Sequence, residues 1–520
     1  MINRKIIFFD VQEIFKTIKM KVMKLLLMAI LLTLSLFSIS KAQKLSQTQT
    51  DRPNVLFIFI DDLRAELGCY GNSYIHSPNI DKLASQATIF QNQFVTVPTC
   101  GASRSSLLSG RLPRSINDLS NAAFEMKQSG KLEKPVPESF IENLRINGYY
   151  TVGIGKISHS PDGYIYGYLQ PQGTELELPN SWDEMLFNAG KWGTGWNAFF
   201  GYSAGTNRNT LKNQVKPYEK GNVDDSGYPD GLTANLAIKK IKELATKDKP
   251  FFLGVGFFKP HLPFNAPKKY WEMYDESQLA TTPSPNIPIN VNPASLHESG
   301  EFNGGYKLGD ENASLSKPVS DAYARKLRHA YYASISYIDA QVGQVLAELK
   351  ETGLDKNTII VLWGDHGWHL GDDRVWGKHT LFEWALRSPL IIKTPGTKKG
   401  TSSSKVVSSI DIYPTLMELC GVEIPHQTDG KSLVPLLKDP DSNNWDNVAY
   451  SYFRQGITVR TEQYRLTKYF RKEQPVIELY DHQKDSYENM NIADPHTDLV
   501  RSLLPILEKG DTGLYDKIEK

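Results

Sequence analysis

The chain of 520 residues reads as an α/β protein: a mostly parallel central sheet flanked by helices, then a smaller C-terminal α+β subdomain with a short antiparallel sheet. Three observations predict this. Asn54–Ile60, Phe251–Phe258 and Thr358–Trp363 are unbroken apolar runs rich in β-branched and aromatic residues, as expected of strands buried on both faces. Helical segments fill the intervals, at Ile80–Ala87, Gly231–Ala245 and Asp321–Glu351, and such alternation implies a parallel sheet covered on both sides. After Asp439-Pro-Asp-Ser-Asn-Asn444 the period falls to two, in the short runs Val448–Phe453, Gly456–Arg460, Tyr464–Tyr469 and Val476–Tyr480.

From the N-terminus, Lys19, Lys21 and Lys24 precede an apolar stretch, Leu25–Phe37, and then Ser40-Lys41-Ala42. This is the pattern of a secretory signal peptide cleaved after Ala42, with Met20 or Met23 as alternative starts. Residues 1–42 are therefore expected to be leader and signal, and the mature protein to be secreted or periplasmic. The apolar stretch is short against the roughly 20 residues of a membrane span, so none is expected in the mature chain. Residues 43–440 form the expected main domain and 441–520 the C-terminal subdomain. Tyr150–Ile154 and Leu390–Lys393 add two strand candidates. Asp321–Glu351 carries Ala, Leu, Ile and Val at three- and four-residue spacing, the stripe of an amphipathic helix. Residues 160–230 are rich in Gly, Pro, Asn and Trp without period, which reads as a long insertion over the sheet's edge, where substrate loops often reside. A last helix is expected at Thr497–Leu507.

The composition, 40% hydrophobic and 22% charged with a net charge of +1, offers no global field for nucleic acid or anionic membrane. Recognition of a polyanion must then be local. The three cysteines, Cys69, Cys100 and Cys420, exclude a disulfide scaffold.

Asp61 and Asp62 follow directly on the first strand, and Asp365 and His366 follow another. The carboxyl ends of buried parallel strands are where open α/β sheets place ligand chemistry. Three carboxylates and an imidazole converging there make a site for one hard divalent ion. Cys100-Gly-Ala-Ser-Arg-Ser-Ser-Leu-Leu-Ser-Gly110 reads as a loop turning into a helix, with the sulfur at the helix N-terminus and Arg104 suited to an oxyanion. Two readings stay open on these residues: an activated nucleophile beside an anion cradle, or a buried structural cysteine before a helix. Lys156 and His159, His261 between prolines, and Lys378 with His379 each follow a strand or a Gly-rich loop. Alone, each would serve equally as a surface lysine or a hydrogen-bonded loop histidine.

Cys100-Gly-Ala-Ser-Arg104 with Leu108-Ser-Gly-Arg111 resembles the signature of the type I sulfatases, and the likeness runs from about Asn54 to about Asp494. The resemblance implies that Cys100 is oxidised by a formylglycine-generating maturation enzyme to 3-oxoalanine (formylglycine), whose hydrate is the nucleophile. It implies one calcium ion held by Asp61, Asp62, Asp365, His366 and the converted Cys100; oxygen-dominated ligation suits calcium better than zinc. Arg104, Lys156, His159, His261 and Lys378 occupy the places of the sulfate-binding and acid residues, with His261 protonating the leaving oxygen and His379 and His369 ranked behind them. Ala102 stands where many members carry proline. Gly155-Lys156-Ile-Ser-His159-Ser-Pro161, Lys259-Pro-His-Leu-Pro-Phe264, Gly364-Asp-His-Gly-Trp-His-Leu-Gly371 and Trp376-Gly-Lys-His379 are similar to the iduronate-2-sulfatase branch. Glu478–Asn489 resembles the family's C-terminal segment that packs against the main domain. The implied substrate is a sulfated poly- or oligosaccharide, uronate-containing or algal in the manner of ulvan. Two alternatives remain: a phosphoester hydrolase of the same superfamily, which would use two zinc ions and a serine or threonine, and a non-catalytic glycan binder with Cys100 unconverted.

Overall fold

The apolar runs pair side by side, as strands without a polar face must, and build an eight-stranded sheet. A computed structural model describes Met20, Met23 and residues 52–124 and 137–517, so the expected signal peptide lies outside the described residues apart from those two methionines. The strands are β1 (Asn54–Ile60), β2 (Thr88–Phe94), β3 (Tyr150–Gly155), β4 (Glu184–Leu186), β5 (Phe251–Phe257), β6 (Thr358–Gly364), β7 (Leu390–Lys393) and β8 (Thr401–Ser408). Their spatial order is β8-β2-β7-β6-β1-β5-β3-β4. All run parallel except β7, which is antiparallel to both of its neighbours.

Alternation along β1 divides the interior in two. Leu56, Ile58 and Ile60 face one side, where α1 (Pro78–Ala84), α4 (Pro229–Leu244) and α5 (Asp321–Glu351) cover them through Ile80, Ile241 and Ile338. Val55, Phe57 and Phe59 face the other, against α2 (Cys100–Ser109), α3 (Phe140–Ile146) and α6 (Ile412–Cys420) through Leu107, Ile141 and Leu416. With both faces covered, all seven residues of β1 are buried. The stripe of α5 spans the range the spacing predicts, opened by Ser320, whose side chain accepts from the Tyr323 N–H.

Differences from the sequence reading have simple causes. β2 and β8 were not expected. Thr88-Ile-Phe-Gln-Asn-Gln-Phe94 carries polar residues inside a strand, and Thr401-Ser-Ser-Ser is a sheet edge whose polar residues meet water. The first helix covers Pro78–Ala84, not Ile80–Ala87: Pro78 starts it, and Asp339 of α5 accepts from the Asn79 and Ile80 N–H groups. The chain then leaves the helix to enter β2.

The C-terminal runs form a four-stranded antiparallel meander, β9 (Ala449–Phe453), β10 (Gly456–Arg460), β11 (Tyr464–Tyr469) and β12 (Ile477–Asp481). α7 (Thr497–Glu508) lies on it through Leu503 and Leu507, in a core shared with Val97 and Ala102 of the main sheet's side. Pro53–Lys520 is one compact unit, within which the border near residue 440 separates two sheets. No described helix is long and apolar enough to cross a membrane.

The edge of β3 brings a lysine into the interior only because two glycines let it. Gly155 has φ +74°, and a Cβ on Gly256 of β5 would fall on the Lys156 carbonyl. Gly256→Ala is expected to destabilise the fold by about 1–3 kcal/mol, as overpacking does. Thermal unfolding reads the loss.

Candidate active site

β1 and β6 are adjacent and parallel, with Ile60 paired to Gly364, so Asp61 and Asp365 leave the sheet side by side. The Asp365 N–H donates to Ile60 O (3.1 Å), and the Asp62 N–H to Asp365 Oδ1 (3.0 Å). Asp62 has φ +57°, a left-handed conformation that aspartate tolerates, and the Tyr331 hydroxyl fixes it by donating to Asp62 O (2.6 Å). Cys100 opens α2 directly after Thr99, as the loop-to-helix reading requires.

Ligand-type atoms of Asp61, Asp62, Cys100 and His366 lie within 4.8 Å of one another, all buried. Lys156 Nζ is 2.5 Å from Asp61 Oδ2. Lys378 Nζ is 2.9 Å from Asp62 Oδ1 and 3.3 Å from Cys100 Sγ. His366 turns Nδ1 to Gly367 O (3.0 Å) and Nε2 to the sulfur (3.3 Å). A proton held on Nδ1 leaves the Nε2 lone pair facing the cluster. Asp61 Oδ1 and Asp62 Oδ2 are buried with no hydrogen-bond partner. Buried oxygens without donors are costly, and a donor set of carboxylates and one imidazole fits a divalent cation.

Asp365 adjoins this cluster: Arg104 Nε donates to its Oδ2 (2.9 Å), and its Oδ1 takes the Asp62 N–H and lies 3.7 Å from His366 Nε2. Arg104 is fully buried, pairing also with Asp61 at 3.8 Å and donating to the Lys156 and Ile157 carbonyls. Its Nε and Nη1 brace a carboxylate and the strand ends, while Nη2, buried without a hydrogen-bond partner, points towards Asp61.

Above the cluster opens a pocket of about 610 Å³ lined by Cys100, Lys156, His159, His261, Lys378 and His379. His261 turns Nδ1 to Leu262 O (2.7 Å), leaving Nε2 3.3 Å from Glu301 and 3.7 Å from Asp62. Lys259 holds this turn by donating to the His261 and Pro263 carbonyls (2.8 and 2.7 Å). His159 is half-buried against Trp196, its Nδ1 without a partner. His379 stacks on Phe453 at 5.5 Å. His369 is buried away from the pocket with Nε2 2.8 Å from the Thr380 hydroxyl, which accounts for it structurally.

Sequence reasoning missed Glu301, carried on the short helix Gly300–Gly305, which reaches both His261 and Lys378 (3.6 Å). A single glutamate in a Gly-rich stretch carries no motif. It also missed the wall built from residues 160–230: Tyr168, Trp196, Phe199, Phe200 and Arg208.

The electrostatics follow from burial. Burial alone would raise Asp61, but Lys156, His261 and Arg104 outweigh it and hold it well below the usual carboxylate range. Burial drives Asp62 well above that range despite Lys378, the mark of a carboxylate short of positive charge. Burial, with Asp61 beside it, pushes the Cys100 thiol up to about 12. Burial, then Lys378, lowers His261 to about 3.

Fixed cations and a cation-ready floor suit one class of reaction, hydrolysis of an ester whose reacting centre carries negative oxygens. Comparison with known proteins narrows the class: the chain belongs to the sulfatase family, whose sequence model matches residues 53–422. A second, N-sulphoglucosamine sulphohydrolase C-terminal, matches residues 364–509. It is a sulfuric ester hydrolase. Iduronate 2-sulfatase of Mus musculus is 31% identical over 408 residues, 72% of this chain and 70% of that protein. A sulfatase of Formosa agariphila is 30% identical over 484 residues, 89% and 88% of the two chains. An ulvan-active sulfatase of the same bacterium is 26% identical over 507 residues, 91% and 84%. The phosphonate monoester hydrolase of Agrobacterium radiobacter shares the fold, with TM-score 0.69 and 24% identity over 88% of this chain and 94% of that one.

A divalent ion at about 100 times its Kd should stabilise the protein by about 2.7 kcal/mol, so chelation should lower Tm and readdition restore it. Asp61→Asn should abolish that response, read by calorimetric unfolding with and without chelator.

Proposed function

We propose that the protein is an exported sulfatase that removes sulfate from a poly- or oligosaccharide, with formylglycine made from Cys100 and one calcium ion at Asp61, Asp62, Asp365 and His366. The supporting observation is the state of Cys100. A thiol at a helix N-terminus beside a lysine would ordinarily be activated, yet burial, with Asp61 beside it, pushes this one up to about 12. A thiol so placed is a poor nucleophile, and the sulfatase signature Cys100-Gly-Ala-Ser-Arg104 supports formylglycine in its place. Once in place, formylglycine and the cation supply an oxygen nucleophile and a Lewis acid.

The chain's own residues supply the remainder. Lys156 and Lys378 reach the pocket floor and set positive charge at the oxygens of a bound sulfate. Arg104 keeps Asp365 and Asp61 in place from behind. His159, with its Nδ1 unpartnered, can hydrogen-bond the ester. His261 presents Nε2, held by its Nδ1 contact and by Glu301, and a proton on that nitrogen is the one the departing sugar oxygen would take. Glu301 beside it favours the protonated form, against the burial and the Lys378 charge that lower His261 in the free site.

The relatives support a sulfated glycan as substrate, uronate-containing or algal, and Lys19 to Ala42 supports export to the periplasm or medium. The pocket's single cluster of cation ligands favours this reading over a phosphoester hydrolase with two metals.

The decisive experiment combines mass spectrometry of the Cys100 peptide with sulfate release from ulvan, heparin, chondroitin and carrageenan fragments. A hydroxylamine-reactive aldehyde at position 100, and release that Cys100→Ala abolishes, are expected; an unconverted thiol or release of phosphate alone would overturn the proposal. The acid role predicts that His261→Asn slows glycan sulfates by roughly 10²–10⁴-fold. With 4-nitrophenyl sulfate, whose leaving group needs no proton, the loss should be far smaller.

A further inference from the structure

Three buried lysine or arginine side chains line the pocket: Lys156, Lys378 and Arg208. The first two face carboxylates, Asp61 for one and Asp62 and Glu301 for the other. Arg208 is in no ion pair among the described residues, and its Nε is buried without a hydrogen-bond partner. Glu301, the one carboxylate among the lining residues, is already taken by His261 and Lys378. The Arg208 guanidinium lies 3.3 Å from the Phe200 ring centroid, with the Tyr306 and Tyr168 rings at 5.6 and 5.8 Å. Aromatic faces stabilise a cation without neutralising it, and a buried unpaired charge is costly.

The wall that holds it is built. Arg208 N–H donates to Phe200 O (3.1 Å), and Asn213 N–H to Arg208 O (2.9 Å). Asn209 Nδ2 ties the Tyr168 carbonyl (3.1 Å). A Cβ on Gly305 would sit 3.2 Å from Arg208 Nη1, so the glycine leaves room for the fork. Tyr168, 44% exposed, lines the pocket and packs edge-on against Trp196 and Phe200 (4.6 and 5.6 Å), an aromatic surface of the kind a sugar ring packs on.

We propose that Arg208 is a specificity-determining residue that reads a second anionic group of the substrate, a carboxylate or a further sulfate, on the sugar bearing the scissile ester or its neighbour. The inference rests on the pocket being the substrate site proposed above. A planar fork suits either oxyanion bidentately, and the anion restores the charge balance that the protein leaves open.

The test compares the full chain with Arg208→Met and Arg208→Lys. The probes are a sulfated methyl uronoside, its uncharged methyl ester, a mono- and a disulfated methyl glucoside, and 4-nitrophenyl sulfate. The unaltered protein should favour the more charged member of at least one pair by roughly 30-fold or more in kcat/KM. Arg208→Met should erase that preference and Arg208→Lys reduce it, while 4-nitrophenyl sulfate, which carries no second anion, loses less turnover than the preferred probe. Preference within the uronoside pair identifies a carboxylate, and within the glucoside pair a second sulfate. Calorimetric binding of the same probes to a Cys100→Ala chain gives the ratio without turnover. Failure of the nucleophile's chemistry is thereby separated from failure of this inference. No preference in either pair, or an equal loss on every probe, would overturn it; should Arg208→Met not fold, the probe ratios of the unaltered protein and Arg208→Lys decide.

Discussion

Negative charge buried where β1 and β6 end is the constraint on which the site depends. Each carboxylate there draws a cation from a distant part of the chain: Asp61 holds Lys156 after β3, Asp365 holds Arg104 on α2, and Asp62 holds Lys378 beyond β6. Removing one partner of such a buried pair typically costs about 3–5 kcal/mol, so these contacts fix the relative placement of the elements as well as the chemistry. The compensation is incomplete. With Glu301 there are four carboxylates and three fixed cations, and the deficit falls on Asp62, whose carboxyl is driven upward, and on two oxygens without donors. A divalent cation would turn that single negative excess into a single positive one. A sulfate monoester arrives with one negative charge, so the balance suits both occupants together.

Much of this was legible because the chemistry sits on regular structure. A strand buried on both faces must be apolar throughout, so the ends of β1 and β6 are marked by the first charges after each run, Asp61 and Asp365. Cys100 and Arg104 fall on successive turns of one helix, which short-range spacing reveals. What pattern could not show was direction. Residue type made Arg104 an anion receptor, but three acceptors behind the sheet edge claim its Nε and Nη1 and leave only Nη2. Glu301 and Arg208 were invisible for another reason: both come from aperiodic segments, where only the folded path shows which side chain meets the pocket. β2 escaped because tertiary pairing with β7 and β8 outweighed a polar sequence.

A second charge network docks the C-terminal meander on the main sheet. Arg465 of β11 lies between Glu383 and Glu488, and Arg460 and His482 complete the set. Glu383, His482 and Glu488 are close enough to resemble a metal site, but the arginines already supply the positive charge. Burial alone would raise Glu383; Arg460, His482 and Arg465 hold it far below the ordinary carboxylate range, the reverse of Asp62. The contrast separates a cluster whose charge is already met from one that needs an ion. It also explains why the meander matters to the site: Glu383 follows Lys378 and His379 by a few residues, and His379 stacks on Phe453 of β9.

The division of labour between these regions follows from their mechanics. Groups that meet the sulfur centre must be held to a fraction of an ångström, and ends of strands in a doubly covered sheet give that rigidity. Groups that select the rest of the substrate need only a stable wall that can differ between enzymes, and the chain between β3 and β5, which also carries the edge strand β4, provides it. Arg208 belongs to the second kind, yet it carries the burial and aromatic packing of the first. A buried guanidinium with no counter-ion among the described residues is costly even where aromatic faces stabilise it. The role proposed for Arg208 meets that cost in the bound state, where a substrate anion completes the wall.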